Sequence, residues 1–232
     1  LGEVGTPGPY SEVSISPDGS TAVVNIRDPE SANRDLWLVD LERQLKTRFT
    51  FDAAQDWIAV WSPDGTRIAF CSERSGTGDG YIKSVIGGGE AELLYDDDTQ
   101  KYPASWSSDG RYLFYESWGT DGGSNLFALD LEQEGEPIAI QVADFTQRVP
   151  VISPNGRWLA YVSDESGHDE IYVTAFPEGG RKWQVSTEQT SYARWASDQE
   201  VLMMGPTGEL KVAEVDGSGE TFRVGPIRDI AD

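Results

Sequence analysis

One short segment recurs along this chain at a nearly constant interval. Ser16-Pro17-Asp18-Gly19 returns as Ser62-Pro63-Asp64-Gly65, as Ser107-Ser108-Asp109-Gly110, as Ser153-Pro154-Asn155-Gly156, and in worn form as Ala196-Ser197-Asp198-Gln199. The intervals are 46, 45, 46 and 43 residues. A period of that length means one supersecondary unit copied in series, with each copy burying its apolar face on its neighbours.

The segment itself has a physical reading. Pro sets φ near −65° at the second turn position, Asp suits the third, and Gly accepts positive φ at the fourth. This is a type I turn closed by a glycine bulge, a common way to join two antiparallel strands. In the second copy Val60-Trp61 precedes the turn and Thr66-Arg67-Ile68-Ala69-Phe70-Cys71 follows it. Tyr81-Ile82-Lys83-Ser84-Val85 and Glu92-Leu93-Leu94-Tyr95 complete the unit. Each stretch is short, rich in β-branched or aromatic residues, and bounded by Gly, Asp or Ser, so each copy is expected to hold four strands.

Apolar residues stand at fixed places in the copies. Ile15, Trp61, Trp106, Ile152 and Trp195 precede the turn, and two positions earlier lie Val13, Ala59, Ala104, Pro150 and Ala193. Alternation puts both sets on one face of the first strand, where they are expected to form core between neighbouring units. Asp35-Leu36-Trp37, Asp79-Gly80-Tyr81, Asn125-Leu126-Phe127 and Glu170-Ile171-Tyr172 open the third strands. No stretch of ten or more residues has helical periodicity, which excludes βαβ and bundle architectures. The expected fold is all-β, a β-propeller of five four-stranded repeats, with six blades if the termini or another chain complete one.

Five copies occupy the 232 residues and leave nothing for a second fold, so a single domain over 1–232 is expected, with repeats at about 9–51, 56–95, 101–142, 147–187 and 190–226. Lys and Arg number 18 against 40 Asp and Glu, a formal charge of −22. Such a surface repels the phosphate backbone that dominates nucleic-acid affinity, which argues against DNA or RNA as a partner. It suits a solvated face, or a cationic partner such as a basic peptide. Cys71, the one cysteine, excludes an intrachain disulfide and sits in an apolar stretch as a buried structural thiol. No apolar run is long enough for a membrane helix and no signal segment opens the chain. Because residue 1 is Leu, a mature product or excised domain is expected, with Glu3-Val4-Gly5-Thr6-Pro7 echoing Arg223-Val224-Gly225-Pro226 as the tail of a preceding outer strand.

These turns, the Trp residues and the third-strand pattern resemble WD-like β-propeller repeats of the TolB type over nearly the whole chain. The stretch Arg157-Trp158-Leu159-Ala160-Tyr161-Val162-Ser163-Asp164-Glu165-Ser166-Gly167, with Ile171-Tyr172-Val173, Phe176-Pro177 and Lys182-Trp183-Gln184-Val185-Ser186, is similar to the propeller C-terminal to bacterial eukaryote-like serine/threonine kinases. The resemblance implies a sensory or protein-interaction propeller, often periplasmic or otherwise outside the cytoplasm. It does not extend to kinase activity, since the glycine-rich loop, His-Arg-Asp and Asp-Phe-Gly are absent. The fifth turn has lost Pro and Gly, and TolB-type propellers usually have six blades where five repeats are countable here.

Chemistry is sparse. There is no Gly-x-Ser-x-Gly elbow, and the single His168 lies in an acidic loop segment. One His and one Cys exclude the usual zinc sets. Asp28–Asp35 and Asp96-Asp97-Asp98 offer oxygens to Ca²⁺ but lack EF-hand spacing and read as turns and solvated loops. No metal and no cofactor are expected. Carboxylates leave a glycosidase or lyase open by residue type alone.

A ligand would meet the loops entering each first strand, at the mouth of a central channel. Six and five positions before each turn stand Tyr10 and Ser11, Asp56 and Trp57, Lys101 and Tyr102, Gln147 and Arg148, Thr190 and Ser191. These vary between copies while the scaffold repeats. Tyr10, Trp57 and Tyr102 supply aromatic surface, and Asp56, Lys101, Gln147 and Arg148 supply charge and polarity, the makeup of a peptide or protein hot spot. The expected function is a non-catalytic binding or sensing module with a protein or peptide partner. The alternatives are a propeller gating a hydrolase, as in peptidases of the prolyl oligopeptidase type, a structural fragment without a ligand, and a strand-swapped homo-oligomer.

Overall fold

In the computed structural model, residues 8–231 are described, apart from 121 and 134. The Glu3–Pro7 echo lies outside the described residues. Twenty strands form five antiparallel four-stranded sheets, each in simple sequence order. Sheet 1 contains β1 (Tyr10–Ile15), β2 (Thr21–Arg27), β3 (Arg34–Asp40) and β4 (Lys46–Arg48). Sheet 2 contains β5 (Asp56–Trp61), β6 (Arg67–Ser72), β7 (Asp79–Ser84) and β8 (Glu92–Leu93). Sheet 3 contains β9 (Gln100–Trp106), β10 (Tyr112–Trp118), β11 (Ser124–Asp130) and β12 (Ile138–Gln141). Sheet 4 contains β13 (Gln147–Ile152), β14 (Trp158–Ser163), β15 (Glu170–Ala175) and β16 (Lys182–Gln184). Sheet 5 contains β17 (Tyr192–Ser197), β18 (Glu200–Met204), β19 (Leu210–Asp216) and β20 (Arg223–Ala231). These are the five blades of a β-propeller fold, and no helix occurs among the described residues.

The repeated turn is locked by its own side chains. Gly19, Gly65, Gly110 and Gly156 have φ between 69° and 75°, a region costly for any residue with a Cβ. The Ser16 hydroxyl donates to Asp18 Oδ1 at 2.6 Å and accepts the Thr21 N–H at 3.0 Å, while Asp18 also accepts the Ser20 N–H. The same pattern recurs around Ser62 and Asp64, Ser107 and Asp109, and Ser153 and Asn155. The fifth turn abandons it: Asp198 accepts the Asn155 N–H instead.

The chain divides into two compact units, residues 1–103 and 104–232. In the first unit, Val23 and Leu36 of sheet 1, with Phe49 just after β4, meet Ile68, Phe70 and Tyr81 of sheet 2. Trp61 borders this core and its Nε1 donates to the Ser14 carbonyl at 3.1 Å. In the second unit, Phe114, Leu126 and Ile140 pack on Leu159, Tyr161 and Tyr172, and the opposite face of sheet 4, with Trp158, Ala160 and Val162, packs on Val201, Met203 and Ala213. Trp195 repeats the Trp61 contact, donating to the Val151 carbonyl at 2.9 Å.

Ile15 and Val13, expected as core, are instead 59% and 68% exposed. Within the first unit sheet 2 is covered on this face by sheet 1, but no sheet of that unit covers the matching face of sheet 1. That face carries a cavity of about 620 Å³ lined by Tyr10, Val13, Val24, Val39, Leu41 and Lys46. Trp106 and Ile152 are buried, and Trp61 and Trp195 are half-buried.

Candidate binding surface

The residues singled out before each turn lie in strands, not in loops, except for Thr190 and Ser191, which precede β17. Strand alternation then splits the pairs of the second, third and fourth copies. Asp56, Lys101 and Gln147 are buried, at 0%, 1% and 2% exposure, so they are scaffold and present no surface to a partner. Asp56 Oδ1 takes the Arg74 guanidinium at 3.0 Å, and its carbonyl accepts the Asn25 side-chain amide at 2.7 Å. Lys101 Nζ lies 2.7 Å from Asp97 Oδ1 and 3.1 Å from Asp79 Oδ1, and donates to the Thr99 carbonyl at 2.9 Å. The Gln147 carbonyl accepts the Ser124 hydroxyl at 2.6 Å.

The second member is half-buried in every pair but the first, where Ser11 is exposed. Trp57 and Tyr102, both in the first unit, come together edge to face with ring centroids 6.5 Å apart. Gly78 packs beside the pair: a Cβ there would make ordinary contacts with Trp57 Cζ2 at 3.5 Å and Tyr102 Cε1 at 3.6 Å and would be tight only against Cys71 Sγ at 3.1 Å. Arg148, in the second unit, is ion-paired with Asp169. Tyr10 is exposed and lines the open cavity of sheet 1, where Lys46 Nζ stands 5.8 Å from its ring centroid.

Two backbone positions beside these residues are unusual. Ile58 and Val149 have φ of +51° and +53°, a left-handed conformation that a β-branched side chain resists. Each sits in a β-bulge, where β5 shifts register between Trp57 and Val60 and β13 between Arg148 and Val151. A carboxylate holds each one. The Ile58 N–H donates to Glu12 Oε2 at 2.7 Å, and the Val149 N–H donates to Glu116 Oε1 at 2.7 Å. A bulge redirects the side chains next to it, here Trp57 and Arg148. Glu12 precedes its turn in β1 whereas Glu116 follows its turn in β10. The two therefore share no repeat position, and periodicity offers no signal for either.

The reactive groups are tied into this scaffold. Burial pushes the Cys71 thiol well above its ordinary range, and the charges of Asp79, Glu73, Asp56 and Glu12 push the same way. His168 Nε2 lies 3.3 Å from Glu170 Oε1. Asp28 accepts the N–H groups of Glu30 and Ser31, closing a turn, and Asp97 serves Lys101. Among the described residues, no group of three His, Cys, Asp or Glu is arranged to hold a metal, and no helix is long and apolar enough to cross a membrane.

Five four-stranded sheets joined through this turn match a known family. The model of the TolB beta propeller domain matches residues 6–134. The chain belongs to the TolB β-propeller domain family. Tricorn protease homolog 1 of Streptomyces coelicolor is 25% identical over 203 residues, covering 81% of this chain and 19% of that protein. Dipeptidyl-peptidase 5 of Porphyromonas gingivalis is 35% identical over 71 residues, 29% of this chain and 10% of that protein. The chain thus spans a small part of these curated relatives. Among solved structures, putative TolB from Agrobacterium tumefaciens superposes with a TM-score of 0.74 at 19% identity, covering 94% of this chain and 81% of that one. That likeness concerns the TolB fold.

Proposed function

We propose that this TolB-type propeller is a non-catalytic binding module that takes a protein or peptide partner on the Trp57–Tyr102 pair. One observation carries the reading: two half-buried aromatic rings meet edge to face next to a residue with no side chain, beside a backbone bulge held by Glu12. Rigid aromatic surface of this kind supplies most of the energy at binding hot spots. The buried charges beneath are engaged with one another, which suits a scaffold.

Selection of a displayed random-peptide library on the immobilised chain tests this. Selected peptides are expected to lose about thirtyfold in affinity on Trp57→Ala or Tyr102→Ala, the effect of removing a hot-spot aromatic, with melting close to that of the parent. Loss of melting temperature in step with affinity removes the assignment.

A second reading rests on the names of the two curated relatives, both peptidases: a propeller that accompanies a hydrolase in a longer protein. It predicts no turnover by this chain alone. Hydrolysis of a peptide panel by the purified chain would count against both readings.

A further inference from the structure

Resting on that reading, we infer that the Trp57–Tyr102 pair receives a basic side chain, the guanidinium or ammonium of an Arg or Lys in the partner, with Glu12 as its counter-charge. The geometry supplies both parts of such a site. Glu12 spends Oε2 on the Ile58 N–H, and Ile58 directly follows Trp57, so the carboxylate is anchored one residue from the indole. Glu12 itself is exposed, and its Oε1 has no partner among the described residues. A cation placed on the edge-to-face rings meets aromatic faces and a fixed anion together, the arrangement that favours Arg and Lys.

The surroundings add the same sign. Cys71, paired across the β5–β6 ladder with Trp57, has its ionisation opposed by Asp79, Glu73, Asp56 and Glu12. Asp56 and Asp79 are offset by Arg74 and Lys101, which leaves Glu12 and Glu73 as the carboxylates there without an ion-pair partner among the described residues. The chain as a whole carries −22, which would steer a basic segment in and repel an acidic one. The second unit offers no such combination. There Glu116 uses both oxygens internally and Arg148 already holds Asp169.

The test is titration of the intact chain with four capped peptides of one length, carrying Arg, Lys, Ser or Glu on an otherwise identical Ala-Gly frame, at low and moderate salt. Binding of the Arg and Lys peptides is expected, weakened about threefold to thirtyfold by Trp57→Phe, Tyr102→Ala or Glu12→Gln, the range of a cation–π contact or charge-assisted hydrogen bond. Trp57→Phe and Glu12→Gln keep shape and melting, so loss of fold cannot imitate the effect. If the Ser or Glu peptide binds as well as the Arg peptide and loses affinity on Tyr102→Ala, the basic preference is overturned while the aromatic site stands. If the basic peptides bind equally to parent and all three variants, the attraction is diffuse, and both the preference and the aromatic site fall. Absence of Arg and Lys peptide binding at millimolar concentration overturns the inference.

Discussion

The two carboxylate-held bulges use one backbone device under opposite conditions. In the first unit Glu12 is exposed, holds the Ile58 N–H with one oxygen, and leaves the other open beside Trp57. In the second unit Glu116 is half-buried as a residue, and its carboxylate is enclosed enough that burial raises its pKa above the ordinary value. Its two oxygens accept the Val149 N–H at 2.7 Å and the Trp118 indole N–H at 2.8 Å. The neighbouring side chain differs in the same sense: Trp57 meets another aromatic, Arg148 an acid. A shared bulge therefore stands beside an open carboxylate in one unit and an enclosed one in the other, and solvent access to the carboxylate is what separates them.

The sharpest way to break this comparison lies inside the first unit, between adjacent residues. Lys101 is fully enclosed with Asp79, so Lys101→Met leaves a buried carboxylate without its cation and should cost about 3–5 kcal/mol. Tyr102→Ala, one residue on, should leave most of the stability and remove the binding surface. Urea denaturation of both variants decides this, and a Tyr102 cost equal to that of Lys101 would make the ring a structural residue.

Next in size is the contrast between the two acids. Glu116→Ala strands two donors and should destabilise by about 2–3 kcal/mol, against about 1 kcal/mol or less for Glu12→Ala, where water can replace the lost acceptor. Equal midpoints for the two variants in chemical denaturation would erase the distinction between units.

The smallest effect is in acid, where the two kinds of carboxylate act with opposite sign. The Ser62 hydroxyl and the Thr66 N–H hold Asp64 at a pKa of about 2, and the Ser16 hydroxyl and the Ser20 N–H do the same for Asp18. Their stabilisation is complete above the ordinary value of 3.8 and is lost as pH falls toward 2. Glu116 binds its proton more readily folded than unfolded, so its contribution falls as pH rises from 4.5 through its raised pKa. Denaturation midpoints against pH should therefore lose the acid limb partly in Asp64→Asn and flatten above 4.5 in Glu116→Gln. An unchanged profile in Glu116→Gln would show that this carboxylate is solvated after all.

Much of the fold is legible because its signals are local. A Ser-Pro-Asp-Gly turn closes through bonds spanning two to five residues, and two-residue alternation marks the strands around it, so the number of sheets and their hairpin order follow from short windows. The candidate site is legible only in half. Trp57 and Tyr102 stand out as large aromatics where the copies vary, yet nothing at those positions reveals that Asp56, Lys101 and Gln147 beside them are enclosed. Burial there depends on partners that other strands and loops supply, such as Asp79 lying 22 residues from Lys101.

The sequence by itself determined the five repeated hairpins, the TolB resemblance and the acidic surface, since each is a property of neighbouring residues or of their sum. Only the tertiary structure decided that Val13 and Ile15 stay exposed, that Trp57 and Tyr102 meet edge to face, and that Ile58 adopts a conformation its own side chain resists. The Ile58 N–H reaches Glu12 46 residues away. An interaction over that distance exists only once two sheets have packed, because no local preference can hold a β-branched residue at positive φ.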